Sequence, residues 1–391
     1  MEMELEQIPN FLHPRLRLFM SVDLVGSTAL KQSGSFPIKA PKEGDGLRDV
    51  GAHWFFDIAS FYSEIEAKFA KHWKHYCENI ANKNGWPISE PPELWKSNGD
   101  ELIYVKELSS AKECIVAISC WMRAAKDFRK HLRGKKSKLD VKLAAWTAGF
   151  PVTNTEVIFQ SGYRKENQEN SDWIPEVLHF YFLEKWHTQP EKRNDLVRDY
   201  IGPSIDTGFR IASKATPRKF SISLEIALML AMTNVPDDIE EFNLRYDGQE
   251  VLKGVLGGRP YPMFWIDTLS DDALTLLEDG LIKNDKSNRD QIKKYCKEFI
   301  GRHDTYMLSP FIVTDAEPLL AMVPPNYEVL ITHLAKEWEK AKQSHNVYLR
   351  SMKGETPEEE KGEHLNDSAL DLTVNLPPAQ FGSDITQIDN Q

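Results

Sequence analysis

Cysteine is scarce in this chain: four residues in 391, Cys77, Cys114, Cys120 and Cys296, with no C-x-x-C pair among them. That spacing leaves no zinc-ribbon or thioredoxin-like motif and fits free, buried thiols in a reducing cytoplasm. Long apolar runs are missing too. The longest, Ile222 to Met232, holds Glu225 inside it and falls well short of the roughly 20 residues a membrane span needs, so no membrane partner is expected. Basic charge is in deficit, 48 Lys and Arg against 59 Asp and Glu for a formal net charge of −11. Such a balance argues against broad electrostatic attraction to nucleic acid or to an anionic membrane. The opening Met-Glu-Met-Glu-Leu-Glu is acidic where a secretory signal would be basic, and a cytoplasmic chain is expected. No Walker lysine-serine follows the glycines of Gly254 to Gly258, and no nucleophile-histidine arrangement can be argued from residue order.

What remains is an ordinary globular composition, 41% hydrophobic and 27% charged, of the kind soluble enzymes show. Arg15 to Val25 alternates and then runs apolar, as a buried strand does. Gly26, Ser27 and Thr28 follow as a turn or helix start, and the Gly- and Pro-rich stretch Gly34 to Gly46 reads as a loop. From Val50 to about Asn82, apolar residues from Trp54 to Phe69 recur at three and four, the mark of an amphipathic helix. Glu93 to Val105 predicts two short strands around a Ser97-Asn98-Gly99 turn. A second helix spans Ala111 to Arg133, ends in basic residues and stops at Gly134. Leu139 to Phe150 predicts a strand, the stretch to about Gln189 an irregular segment, Pro203 to Ala215 a short helix, and Leu244 to Ile266 a hairpin turning near Gly257-Gly258.

This succession points to an α+β fold with helices packed on an antiparallel sheet. Four segments are expected: a leader over 1–14, a catalytic domain with insertions over 15–267, a helical extension over 268–350, and a disordered tail over 351–391.

Two stretches are unusual for purely structural purposes: Phe19-Met-Ser-Val-Asp-Leu-Val-Gly-Ser-Thr28 and Leu94-Trp-Lys-Ser-Asn-Gly-Asp-Glu-Leu-Ile103. Each sets an aspartate among apolar strand residues, where an ionised carboxylate must be paired, hydrogen-bonded or metal-bound. Either alone would suit a capping or turn residue. Together, at strand ends beside small-residue turns, Asp23 and Asp100 have the chemistry of a Mg²⁺ site that also takes phosphate oxygens. The Gly-Ser-Thr after Asp23 could present backbone N–H groups to a phosphate. By contrast His72-Trp-Lys-His75, flanked by lysines and without further ligands, reads as a solvated helix face.

Val22-Asp-Leu-Val-Gly-Ser-Thr28 and Lys96-Ser-Asn-Gly-Asp100 resemble the two metal motifs of the class III nucleotidyl cyclases. Asp199-Tyr-Ile-Gly-Pro-Ser-Ile-Asp-Thr-Gly-Phe-Arg210 is similar to that family's substrate segment. The resemblance covers roughly residues 15 to 267 and implies a ferredoxin-like cyclase core. It implies two divalent ions, Mg²⁺ or Mn²⁺, on Asp23, Asp100 and the backbone carbonyl of Leu24. It also implies base contacts from Lys96 and Asp199, and stabilisation of the transferring phosphate by Arg210. Lys253 is the expected triphosphate lysine, with Lys219 and Arg259 as competitors. One position departs from the family: Asp206 stands where an asparagine is usual, and an ionised aspartate accepts hydrogen bonds but cannot donate them.

The insertions and the segment Gly202 to Arg210 look most like the bacterial pyrimidine cyclases of Pycsar anti-phage systems. That resemblance implies UTP or CTP as substrate, cyclic UMP or cyclic CMP as product, and a separate effector protein that senses it. An adenylyl or guanylyl cyclase and a non-catalytic nucleotide-binding module are the alternatives. A diguanylate-cyclase-like enzyme is disfavoured, since Asn98-Gly99-Asp100-Glu101 lacks the Gly-Gly turn of that class. In the cyclase family the active site lies between protomers, which implies a homodimer with shared sites.

Overall fold

The computed structural model describes residues 8–32, 42, 53–135, 137–160, 175–236, 239, 242–270, 272–282 and 288–352. The chain divides into two units, Met1–Lys342 and Gln343–Gln391. The first holds every sheet and site considered below.

Strand β1 (Arg15–Val25) is central because its two faces are both apolar. Leu16, Leu18, Met20, Val22 and Leu24 enter one core, and Phe19 enters another on the opposite side, as the two-residue period of a strand requires. After it come α1 (Ser27–Gln32) and α2 (His53–His75). A π-helical stretch, Tyr76–Ala81, and the short α3 (Asn82–Asn84) carry α2 onward to Gly85. The hairpin β2 (Glu93–Asn98) and β3 (Glu101–Glu107) turns on Gly99 and Asp100, one residue further on than the expected dipeptide, with Gly99 at φ 67° where a side chain would be strained. Helix α4 (Ala111–Gly134) opens on Ser110, whose hydroxyl accepts from Glu113 N, and β4 (Asp140–Phe150) follows.

The stretch expected to be irregular is not so throughout. It contains β5 (Thr155–Gln160) and α5 (Pro175–Thr188) and leads to β6 (Leu196–Ile201), and β5 and β6 form a separate two-stranded antiparallel sheet. Helix α6 (Pro203–Ala212) begins after Gly202, as its Pro at the first turn suggests. Next come β7 (Lys219–Ile222), the apolar helix α7 (Leu224–Met232), and the hairpin β8 (Leu244–Val251) and β9 (Pro260–Asp267). The C-terminal helices are α8 (Ala273–Ile282), α9 (Arg289–Arg302), the short α10 (Pro318–Ala321) and α11 (Tyr327–Met352). No helix among the described residues is long and apolar enough to cross a membrane. The stretch Gly34 to Gly46, apart from Lys42, and the tail beyond 352 lie outside the described residues.

The fold is α+β: a seven-stranded sheet in the order β2-β3-β1-β4-β7-β9-β8 with packed helices. Its pairings are antiparallel except one, since β4 and β7 run parallel, a departure from a wholly antiparallel sheet. One face is covered by α2, α4 and α7, whose Phe61, Phe128 and Met229 join the largest core. The other face carries an aromatic cluster in which Phe19, Trp146, Phe150 and Tyr200 meet Trp95 and Phe209. The indole of Trp146 stacks on Phe19 with ring centroids 5.6 Å apart. Helix α6 lies on that cluster so closely that a Cβ at Gly208 would come within 2.2 Å of Trp146.

Candidate active site

The aspartate of β1 sits on the aromatic face, where the strand's odd-numbered residues point. Its register neighbours are Glu101 on β3 and Lys142 on β4. Lys142 Nζ lies 2.8 Å from Asp23 Oδ2. A row of acid, acid and base thus runs across three strands at one end of the sheet. The second aspartate ends the β2–β3 turn: Leu24 N donates to Asp100 O at 3.1 Å, which ties the end of β1 to that turn. The Asp100 carboxylate accepts from the Ser27 hydroxyl and lies 3.8 Å from Lys31 Nζ. From α2, the Tyr62 hydroxyl donates to Gly99 O and braces the turn.

Asp23 on β1 and Asp100 in the β2–β3 turn, the two metal candidates, are therefore carried to adjoining positions. Their side chains are 27% and 25% exposed, open enough for a cation to reach and enclosed enough for it to matter. Leu24 itself is buried in the main core, so its backbone alone can serve the site. Burial, and then the neighbouring charge of Asp23, pushes the Glu101 carboxyl above its ordinary value. Among the described residues no group of three or more His, Cys, Asp or Glu side chains is gathered as a metal cluster. His72 pairs with Asp127 at 2.9 Å.

A second set stands apart. Lys96 Nζ lies 3.1 Å from Asp199 Oδ1 and donates to it. It also rests 3.9 Å from the centroid of the Trp95 ring and 5.5 Å from that of Phe209, so β2, β6 and α6 converge on one ammonium. Arg198 on the same strand pairs with Glu93, a second tie between β6 and β2. Arg210 and Asp206 are both exposed on α6, and neither side chain makes an ion pair with a described residue. Lys214, just past α6, pairs with Glu250 of β8, which brings the end of that helix toward the hairpin. Lys253 is exposed in the connection after β8. Its competitor Lys219 is engaged by Asp247 and lies over the Trp265 ring, while Arg259 lies over Tyr306 at 4.6 Å. Among the described residues, no ion pair or hydrogen bond joins the Asp23–Asp100 set to Lys96, Asp199 or Arg210.

Sequence reasoning missed Lys142, Lys31 and Glu101. Glu101 follows Asp100 directly, but Lys142 meets Asp23 only through the pairing of β1 with β4, and residue order does not show that pairing.

No protein-family model and no curated protein matches this chain. Solved structures similar to it include the adenylyl cyclase CyaB from P. aeruginosa, at 14% identity and a TM-score of 0.38 over 65% of this chain and 94% of that one. The guanylyl cyclase Cya2 aligns at 13% identity and a TM-score of 0.36, over 65% of this chain and 92% of its own. The guanylate cyclase domain of RhGC from Catenaria anguillulae, solved in complex with GTP, aligns at 11% identity and a TM-score of 0.35, over 65% of this chain and 97% of that domain. Overlaps this loose transfer neither a reaction nor a residue role, so what the site can do rests on the geometry above.

Proposed function

We propose that this protein is a nucleotidyl cyclase, converting a nucleoside triphosphate into its 3′,5′-cyclic monophosphate and pyrophosphate. The observation that carries the reading is the convergence of Asp23 and Asp100 at one end of the sheet, beside the Ser27 hydroxyl at the start of α1. Two carboxylates and a nearby backbone carbonyl, that of Leu24, make an all-oxygen donor set, which suits Mg²⁺ or Mn²⁺ and not a soft metal. Such ions, when bound, would favour ionisation of the ribose 3′-hydroxyl and offset charge on the triphosphate.

The chain's own groups would do the rest. Asp23 and Asp100 hold negative charge at the reacting end, with Lys142 and Lys31 as their counter-charges. Lys96 and Asp199, already joined, offer a donor and an acceptor against the edge of a base. In this reading Arg210 on α6 would meet charge developing on the transferring phosphate, Lys253 would bind the leaving pyrophosphate, and Asp206 would accept from the ribose. Among the described residues no ion pair or hydrogen bond joins the two sets. A symmetric pair of chains, each lending Lys96, Asp199 and Arg210 to the other's aspartates, would complete two sites.

The substrate preference belongs to the same reading: UTP or CTP, by the resemblance of Gly202 to Arg210 to pyrimidine cyclases. The product would be a second messenger of bacterial anti-phage defence, sensed by a separate effector. The test is incubation of purified protein with Mn²⁺ and each of ATP, GTP, CTP and UTP, with products identified by mass spectrometry. Cyclic UMP or cyclic CMP is expected, with no product from Asp23→Ala or Asp100→Ala chains that still fold. Cyclic AMP or cyclic GMP would keep the reaction and overturn the pyrimidine preference. Near-normal turnover in either aspartate variant would overturn the site.

A further inference from the structure

Two turns in succession link β8 to β9. In the first, Val255 N donates to Leu252 O at 3.1 Å across Lys253 and Gly254, and Gly254 has φ 79°. Lys253 therefore stands exposed at the tip of a closed turn. The second turn shares Val255: Gly258 N donates to Val255 O at 2.9 Å across Leu256 and Gly257, whose φ values are 49° and 61°. Left-handed residues at both central positions mark a type I′ turn, where asparagine or glycine is usual. A leucine takes this backbone only at a cost, and among the described residues Leu256 is the non-glycine residue with positive φ.

Such strain persists only where the surroundings hold it. Part of the hold comes from the core, in which Leu252, Val255 and Leu256 are buried. The rest comes from the C-terminal extension. Tyr306, in the turn after α9, sets its ring against the second turn so closely that a Cβ on Gly257 would come within 2.9 Å of Tyr306 Cε1. The Arg259 guanidinium lies 4.6 Å from the centroid of the same ring, and its Nη1 donates to Leu256 O at 3.4 Å. Ring, cation and the carbonyl of the strained leucine thus form one arrangement.

Tyr306 is itself held from α9. Tyr306 N and Met307 N both donate to His303 O, at 2.9 and 3.0 Å, and the His303 ring stacks on Phe299 with centroids 4.2 Å apart. Farther back on α9, the Tyr295 hydroxyl lies 3.0 Å from that of Tyr246 and accepts from Gln249 Nε2 at 2.9 Å, both residues of β8. The helix therefore grips the hairpin twice, at the strand and at the turn. Tyr306 stays 45% exposed, more than a side chain kept for core packing needs.

Because the two turns share Val255, loosening the second frees the first. We infer that Tyr306 is a positioning residue: it clamps the connection from Leu252 to Arg259 and so fixes where Lys253 presents its ammonium. What Lys253 then does, binding the leaving pyrophosphate, rests on the cyclase reading; the clamp rests on geometry alone. A displacement of about 1 Å costs up to ~10²-fold in rate, so a clamp on one lysine is felt in turnover.

The test compares full-length parent, Tyr306→Ala and Tyr306→Phe chains by amide hydrogen exchange and by steady-state turnover of each nucleoside triphosphate with Mn²⁺. In Tyr306→Ala, exchange at Gly258 and Arg259, whose amides close the second turn, should speed by about tenfold while β1 and α4 stay unchanged. The ratio kcat/KM should fall by about tenfold. Tyr306→Phe, which keeps the ring, should behave as the parent in both. If Tyr306 acts through Lys253, Tyr306→Ala costs nothing further in a chain that already carries Lys253→Ala. The same loss persisting on top of Lys253→Ala would overturn the inference, as would parental exchange in Tyr306→Ala. A parent that cyclises none of the four triphosphates would overturn the cyclase reading and the service to Lys253, and the exchange result would still decide the clamp.

Discussion

Replacing Gly208 with alanine tests whether α6 is as tightly seated as its packing indicates. The new methyl would stand 2.2, 2.3 and 2.4 Å from three atoms of the Trp146 indole, and the first of these is 1.2 Å inside the 3.4 Å at which ordinary contact begins (3.4 minus 2.2). Trp146 is fully buried and held between Phe19 at 5.6 Å and Phe209 at 5.4 Å. The helix must therefore lift by about 1 Å. Overpacking of this kind costs about 1–3 kcal/mol, and three simultaneous clashes place it at the upper end. Alanine returns about 1 kcal/mol of helix propensity, which leaves a net loss of roughly 2 kcal/mol, or about 30-fold in the ratio of folded to unfolded protein. Urea unfolding at fixed protein concentration should show a lower midpoint with an unchanged slope. If Arg210 acts on the transferring phosphate, its displacement should also lower turnover by about 10²-fold. A Gly208→Ala chain as stable and as active as the parent would refute both the packing and the role given to α6.

Three further outcomes are expected. Glu101 has a raised carboxyl in the folded state, so between its ordinary value of 4.5 and that raised value the folded chain holds more protons than the unfolded one. Stability should therefore fall as pH rises through this window. Glu101→Gln should remove that fall and be more stable than the parent at pH above it; urea midpoints that track the parent at every pH would refute this. Mixing an Asp23→Ala chain with an Arg210→Ala chain should restore turnover, since one intact site forms per heterodimer, and a mixture as inactive as its components would count against the shared site. A chain ending at Ser351 should keep full turnover, checked by the same product assay, with a large loss showing that the tail takes part.

How far the sequence reached depended on whether the relevant contact was local. Strand β1 was legible because both of its faces are apolar at a period of two, and α4 because its apolar stripe, basic end and Gly134 mark its side and its stop. The turn between β2 and β3 was legible from the Asn98-Gly99 dipeptide, though it falls one residue later, on Gly99 and Asp100. The strands β5 and β6 were not: each is six residues long, with exposed Phe159, Val197 and Ile201, and their pairing spans a long intervening stretch. Nor was β7, whose four residues run into the apolar helix α7 and look like one continuous run. The same limit applies to the site. Lys96 and Asp199 came only through the resemblance to the cyclase motifs, whereas Asp23 and Asp100 stood out as charges at odd places in apolar or turn segments. Lys142 did not, because nothing in its own neighbourhood distinguishes it from any outward-facing lysine of a strand.

The ammonium groups beside the two aspartates have a practical consequence. With Lys142 against Asp23 and Lys31 near Asp100, each carboxylate already has a counter-charge supplied by its own chain. Folding then places no demand on an outside cation, and in the proposed function an incoming divalent ion would exchange with a side chain that can swing back. Chelation would thus silence such a site while leaving the protein whole, ready to be reloaded.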